Sequence, residues 1–209
     1  MLCWGKEQNI LEFRLMLSGT LATRCNWPGK KTLLYKQRSH RKRLKYLQAL
    51  RKLVLIHGSS NLVYLDESGF ALETFRPYAW SPRGQEVHGE RNACRRPRTS
   101  LIAAKCGTKL LAPVLFPGST NSLLFNHWLE HHLLPELKAH SILILDNARF
   151  HKKNGVSSIA EKAGHTVLFL PPYSPDFNPI EQDFAIIKKR RSYAPPGTTL
   201  DSIIKSYGN

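Results

Sequence analysis

"SILILDNARFHKKNGVSSIAEKAGHTVLFLPPYSPDFNPIEQDF", Ser141 to Phe184, carries the alternation that decides the fold. "SILILD" is a short apolar run ending in a carboxylate and reads as a buried strand. "VSSIAEKAG" reads as a short helix stopped at Gly164, and "HTVLFL" as a second buried strand. A proline-rich passage follows, with Pro171, Pro172, Pro175 and Pro179, and a helix opens at about Pro179. Asn178 suits the N-cap there, and Pro179 the first helical position, where its missing N–H costs nothing. Glu181 then falls at the third helical position, placed to reach back as in a capping box and favoured by the positive end of the helix dipole. Taken alone, the stretch makes Glu181 a cap; a chemical role needs partners elsewhere in the chain.

Working outward, "NLVYLDESGF" (61–70) reads as a strand running into a turn at Ser68-Gly69. "RTSLIAAKCGTKLLAPVLFPGST" (98–120) reads as two strands joined at Gly107-Thr108. "NSLLFNHWLEHHLLPEL" (121–137) sets Leu124, Phe125, Trp128, Leu129 and Leu133 at helical spacing. His131 and His132 on that helix lack a partner cluster and read as structural. Three antiparallel strands followed by alternating strands and helices imply an α/β fold, a mixed sheet with helices on both faces.

Before the sheet lies a basic helix, residues 36–54, "KQRSHRKRLKYLQALRKLV", with a narrow apolar stripe at Leu44, Leu47, Leu50 and Val54. Its positive face, with Arg41, Lys42, Arg43 and Lys45, reads either as a solvated surface or as a contact for DNA phosphates. Residues 1–35 show no clear periodicity. The expected division is therefore an N-terminal segment, 1–56, and a catalytic-type α/β domain, 57–209.

The chain has 209 residues, with 31 Lys and Arg against 15 Asp and Glu, a net charge of +16. That excess points to a polyanion, and nucleic acid is the commonest one. The four cysteines, Cys3, Cys25, Cys94 and Cys106, have neither zinc-finger nor disulfide-framework spacing, which suits a reducing compartment. No apolar run approaches the ~20 residues of a membrane span.

Two apolar strands end in an aspartate, "LVYLD" at Asp66 and "ILILD" at Asp146. A buried strand that finishes in a carboxylate is costly unless the charge is paired, hydrogen-bonded or bound to metal. Strand periodicity puts Leu62, Tyr64 and Asp66 on one face and turns Glu67 the other way. Each aspartate alone has an ordinary reading as an Asx-turn or cap. Together with Glu181, at the start of the last helix, they form an oxygen-only set that suits Mg²⁺ or Mn²⁺. Two such ions about 3.5–4 Å apart serve phosphoryl transfer.

"YLDESGF" (64–70), "LILDNARFH" (143–151) and "LPPYSPDFNPIE" (170–181) resemble the DDE transposases of the mariner superfamily, specifically the bacterial insertion-sequence 630 branch. Between Asp146 and Glu181 lie 34 residues, the spacing of that branch. "WSPRG" (80–84) and "FPGSTN" (116–121) also look familial, and the likeness runs from about Trp27 to the C-terminus. The resemblance implies a ribonuclease-H-like fold with a five-stranded mixed sheet. It makes Asp66, Asp146 and Glu181 the metal-binding catalytic triad, with two Mg²⁺ or Mn²⁺ ions. It implies cleavage of DNA at transposon ends and attack of the freed 3′-hydroxyl on target DNA, by a homodimer when ends are synapsed. The implied setting is the bacterial cytoplasm, at the nucleoid, with no membrane partner.

Asn147 and His151 match the motif after the second aspartate and are accessory candidates; a surface histidine is the alternative for His151. Lys188, seven residues after Glu181, is a candidate phosphate contact or an ordinary exposed lysine. The prolines stiffen the approach of Glu181, and Ile180, Phe184 and Ile187 form the core face of its helix. Asp183 points about 200° around that helix and is no rival to Glu181. Family members normally begin with helix-turn-helix DNA-binding domains, of which "NWPGKKTLLYKQRSHRKRLKYLQAL" (26–50) resembles the tail and linker helix. An N-terminally truncated or frameshifted copy is expected on that ground. Two other readings stand beside the recombinase: a catalytically silent DNA-binding remnant, and another two-metal nuclease of ribonuclease-H-like fold.

Overall fold

The computed structural model describes residues 35–71, 81–86, 88, 98–147, 153–195 and 197–207. Gln37–Asn209 form one compact unit, which contains the basic helix. Trp80, His151 and the segment before Tyr35 lie outside the described residues.

Helix α1 (His40–His57) begins at Ser39, whose Oγ accepts from Lys42 N. Strands β1 (Leu62–Ala71), β2 (Arg98–Cys106) and β3 (Lys109–Pro117) follow. Then come helix α2 (Ser122–Trp128), strand β4 (Ile142–Leu145), helix α3 (Lys153–Lys162), strand β5 (Thr166–Phe169), and helices α4 (Ile180–Tyr193) and α5 (Leu200–Lys205). The five strands form one sheet in the order β3-β2-β1-β4-β5. β1, β2 and β3 pair antiparallel, while β4 joins β1, and β5 joins β4, in parallel. The mixed five-stranded sheet read from the sequence is therefore present.

Helices cover both faces. Phe125 and Trp128 of α2, with Leu129 and Leu133 just beyond it, pack with Val156 and Ala160 of α3 on Val63, Leu65, Ile102, Leu143 and Leu145. On the opposite face Ile180, Phe184 and Ile187 of α4 pack with Ile203 and Ile204 of α5 on Phe70, Leu101 and Ala103. Tyr46 of α1 joins Ile142, Ile144 and Leu170 on that second side. β4 is buried on both faces, which is why it reads as an uninterrupted apolar run.

Two expectations are corrected. Ser68-Gly69 is not a turn: β1 continues to Ala71, with Ser68 opposite Leu101 and Gly69 opposite Ser100. The missing Cβ of Gly69 leaves room for the Arg98 side chain, whose Nε would lie 1.8 Å from an added Cβ. The inner face of α1 is also different. Leu44 and Leu47 are 60% and 43% exposed, and Arg43, Tyr46, Leu50 and Leu53 turn inward. Counting leucines missed a face that begins with a cation and an aromatic ring.

The other readings of the elements agree with the structure. Gly107 and Thr108 make a two-residue connection between β2 and β3, with Gly107 at φ 60°. Asn121 caps α2, accepting from Leu124 N at 2.8 Å. α2 runs on through a π-helical turn, Leu129–Leu133, and a tight turn, Leu134–Glu136. This lengthened helix serves a defect in β3. The β2–β3 register slips beyond Ile102, and Ala112 takes a left-handed φ of 43°. Trp128 Nε1 donates to Ala112 O at 2.8 Å, and Ala112 N donates to Glu136 Oε2 at 3.1 Å. Trp128→Phe keeps most of the buried ring but strands that carbonyl. It is expected to cost about 1–2 kcal/mol, read as a lower urea midpoint at unchanged slope.

Candidate active site

β1 and β4 pair as Leu62↔Ile142, Val63↔Leu143 and Tyr64↔Ile144. One same-face step beyond Tyr64 puts Asp66 on the face covered by α4, and Asp146 directly follows the end of β4. Asp66 lies mid-strand toward β2, where it faces Ala103, yet just past the end of the pairing with β4. That fork explains how an aspartate inside a ten-residue strand still reaches the carboxyl end of its neighbour.

α4 brings the third carboxylate. Its apolar face, Ile180, Phe184 and Ile187, is fixed against Phe70 and Leu101, which holds its first turn over the fork. Asn178 is extended (φ −111°, ψ 91°) and Pro179 is already helical (φ −66°, ψ −19°), so the chain enters the helix as the cap reading expects. The side chains do not follow that reading. The helix start has no side-chain cap, and Asn178 Nδ2 instead donates to Asp66 Oδ2 at 3.2 Å, across 112 residues of sequence. The capping box is therefore overturned: the amide is drawn to the buried aspartate.

The three acids lie close enough to act on one another's charge. The Asp66 carboxyl is raised from 3.8 to about 7, first by burial, then by the charges of Asp146, Glu181 and Glu67. The Glu67 backbone N–H, which donates to Asp66 Oδ1 at 2.8 Å, opposes that rise. Glu181 is also raised, by burial and then by Asp146 and Asp176. Asp146, Asn147 and Glu181 are exposed to solvent. Among the described residues, no three His, Cys, Asp or Glu side chains are already closed around a metal position. Like charges without a counter-ion repel, so an open arrangement is the physical expectation.

The donor set nevertheless fits a hard divalent cation. It is made of oxygens and crowded with like charge. Beside it Asn178, 3% exposed, keeps its Oδ1 buried without a hydrogen-bond partner. A buried acceptor facing no donor costs about 1–3 kcal/mol and calls for a water or an ion.

The remaining candidates divide. Arg41, Lys42 and Lys45 are exposed on α1, while Arg43 turns inward and pairs with Asp176 at 2.6 Å. Lys188 is exposed, its ammonium 5.6 Å from the centre of the Phe70 ring. Asp183 belongs to a separate buried group, accepting from Lys105 Nζ and Tyr207 OH at 2.5 Å each. Sequence reasoning missed Asn178, Asp176 and Arg43 as neighbours of the site. The "DFN" before Pro179 was the available signal, but it was absorbed by the cap.

The family model for DDE superfamily endonuclease matches residues 61–204, from the start of β1 to α5. The chain belongs to the DDE superfamily endonucleases. Among solved structures, the Mos1 transposase paired-end complex with left transposon end aligns with a TM-score of 0.64 at 19% identity. That alignment covers 95% of this chain and 61% of the other. The mariner Mos1 paired-end complex with Mg gives 0.65 at 17% identity, with the same coverage. The catalytic domain of Mos1 mariner transposase gives 0.54 at 17% identity, covering 86% of this chain and 82% of that one. These likenesses establish the shared ribonuclease-H-like fold. The chain spans 61% of the length of the full Mos1 chains it matches. No curated protein matches its sequence. Among the described residues no helix is long and apolar enough to cross a membrane.

The raised Asp66 makes this DDE endonuclease domain sensitive to pH. The unfolded chain releases that proton near pH 4 and the folded chain near 7. The folded state thus holds an extra proton between those values, and this group's contribution to stability falls as pH rises through them. The deficit reaches up to about 4 kcal/mol above pH 7. In EDTA, Asp66→Asn should match the parent in urea unfolding at pH 4 and exceed it at pH 8. Parallel stability curves across that range would contradict the assignment.

Proposed function

We propose that this DDE endonuclease domain cuts DNA at transposon ends and joins the freed 3′-hydroxyl to target DNA, with Asp66, Asp146 and Glu181 as its catalytic carboxylates. The observation that carries the reading is the meeting of these three acids, from β1, the end of β4 and the start of α4, on one face of the sheet. They would hold two Mg²⁺ or Mn²⁺ ions. Bound there, the ions would supply the positive charge that activates the attacking oxygen and stabilises the leaving one.

The chain's own residues do the rest. Asn178 orients Asp66 through its amide, so the least exposed acid of the three keeps one rotamer. Asp66, whose carboxyl is pushed up to about 7 by burial and neighbouring carboxylates, would have to release its proton to hold a metal. Lys188 and Lys189 on α4, and Arg41, Lys42 and Lys45 on α1, offer exposed cations for the phosphates on either side of the cut. Asn147 extends past the second aspartate toward solvent and is an accessory candidate; His151 remains one by motif alone. The 34-residue spacing and the wording of the three motifs support the insertion-sequence 630 branch and a bacterial, nucleoid-bound setting. Synapsis of two ends calls for two such sites, hence a homodimer.

The second reading is a catalytically silent DNA-binding remnant, supported by the exposed cations of α1 and α4. Incubation with DNA carrying the cognate inverted repeats, in Mg²⁺ or Mn²⁺, separates the two. Nicks at the repeat ends are expected, lowered about a thousandfold or more in Asp146→Asn and Glu181→Gln, the loss of several kcal/mol of transition-state stabilisation. Equal nicking by the variants would remove the triad, and no nicking by any chain would favour the remnant.

A further inference from the structure

Arg43 and Tyr46, three residues apart on α1, both reach the short turn Pro175–Phe177 that leads into α4. Arg43 Nη1 and Nη2 donate to Asp176 Oδ1 and Oδ2 at 2.8 and 2.6 Å, a two-pronged contact spanning 133 residues of sequence. The same guanidinium lies over the Phe177 ring, 3.9 Å from its centre. The Phe177 ring in turn stacks on Tyr46, with centroids 5.3 Å apart and planes at 19°. Arginine suits this arrangement because its planar fork matches a carboxylate and its face matches a ring. The Arg43 side chain is 16% exposed, whereas its neighbours Arg41, Lys42 and Lys45 are open to solvent.

What the turn holds is decisive. Asn178, which donates to Asp66, follows Phe177 directly, and Glu181 lies five residues after Asp176. The turn's own backbone bonds are local, Phe177 N to Ser174 O and Asn178 N to Pro175 O. They shape it without tying it to the sheet, so side chains must fix where it sits.

We propose that Arg43, backed by Tyr46, is a positioning residue that latches the 175–178 turn to α1 and so sets where Asn178 and Glu181 meet Asp66 and Asp146. It is not a phosphate contact. α1 then has two separate tasks, an outer face of free cations and an inner face that holds the site. The latch stands on the contacts themselves; its consequence for metal binding rests on the reading of Glu181 as a ligand.

Hydrogen exchange on the full chain, without DNA, tests the latch directly. In Arg43→Ala the amides of Phe177, Asn178, Glu181 and Gln182, each hydrogen-bonded in the turn or the first turn of α4, should exchange about tenfold faster, the size expected for losing a charge-assisted pair, while the β4 amides keep their protection. Arg43→Lys, which keeps charge but loses fork and ring contact, should fall between. The exchanged pair Arg43→Asp with Asp176→Arg should recover much of the protection, a rescue that a merely disrupted fold would not give. Mn²⁺ titration should weaken severalfold in Arg43→Ala, and its affinity for random duplex DNA should change less than in Arg41→Ala with Lys45→Ala. Unchanged exchange in Arg43→Ala would overturn the latch. So would a loss of duplex affinity as large as that of Arg41→Ala with Lys45→Ala. If the parent chain binds no Mn²⁺, the metal reading of the site fails, while the exchange comparison still decides the latch.

Discussion

β1 runs in parallel with β4 as far as Tyr64 and Ile144, and an aspartate follows on each side, Asp66 within β1 and Asp146 just past the end of β4. Two carboxylates near the open end of a parallel pair repel, and Glu181 of α4 adds its charge to them. Much of the local architecture answers that repulsion. β1 cannot end there, because its antiparallel ladder with β2 continues to Ala71 and keeps Asp66 inside the sheet. Burial then turns crowding into a large rise in the Asp66 pKa. A folded domain accepts such strain where the surrounding packing over-determines the geometry. Here that packing is the two-sided core, with α2 and α3 on one face and α1, α4 and α5 on the other.

Two nearby acids, Asp176 and Asp183, are neutralised by different means. Asp176 is held below the usual carboxylate range by its bond to Arg43. Asp183 is buried about half a turn beyond Glu181 but is matched by Lys105 and Tyr207, which also tie α4 to β2 and to the segment after α5. Asp66 instead receives an amide and a backbone N–H, and its neighbouring charges are all carboxylates. The contrast between Asp176 and Asp183, each matched by a cation, and Asp66, raised by burial among carboxylates, marks the candidate site more sharply than the positions of the acids alone.

Much of this was legible in the sequence, for identifiable reasons. β4 and β5 announce themselves because both carry apolar runs in the parallel part of the sheet, β4 buried inside it and β5 half-buried at its edge. α2 was legible because Phe125, Trp128, Leu129 and Leu133 all face one core. The end of β1 was not, because Ser68-Gly69 has turn chemistry and only the crossing Arg98 side chain explains a glycine inside the strand. The inner face of α1 was hidden because an arginine leads it, and a buried arginine reads as surface until its distant carboxylate is known. Asn178 was hidden by competition: the same side chain suits a cap, and the backbone around it is a cap in form. Local rules described that residue correctly up to the point where an acid 112 residues away claimed its amide.

The distribution of charge links the two ligands the site implies. Overall the chain carries +16, yet its proposed reaction centre is locally acidic. Phosphates drawn to the exposed cations of α1 and α4 meet three carboxylates at the fork, so a bare site repels the substrate its surroundings attract. On the proposed function, a divalent cation held by these carboxylates would reverse the sign there and offer the phosphate a positive partner. Metal and DNA would then strengthen each other's binding, since coupling between two ligands is reciprocal. The repulsion that weakens the metal-free fold is the same free energy that favours the cation, which is why the strain has a use and why removing it by mutation would stabilise the domain and silence it together.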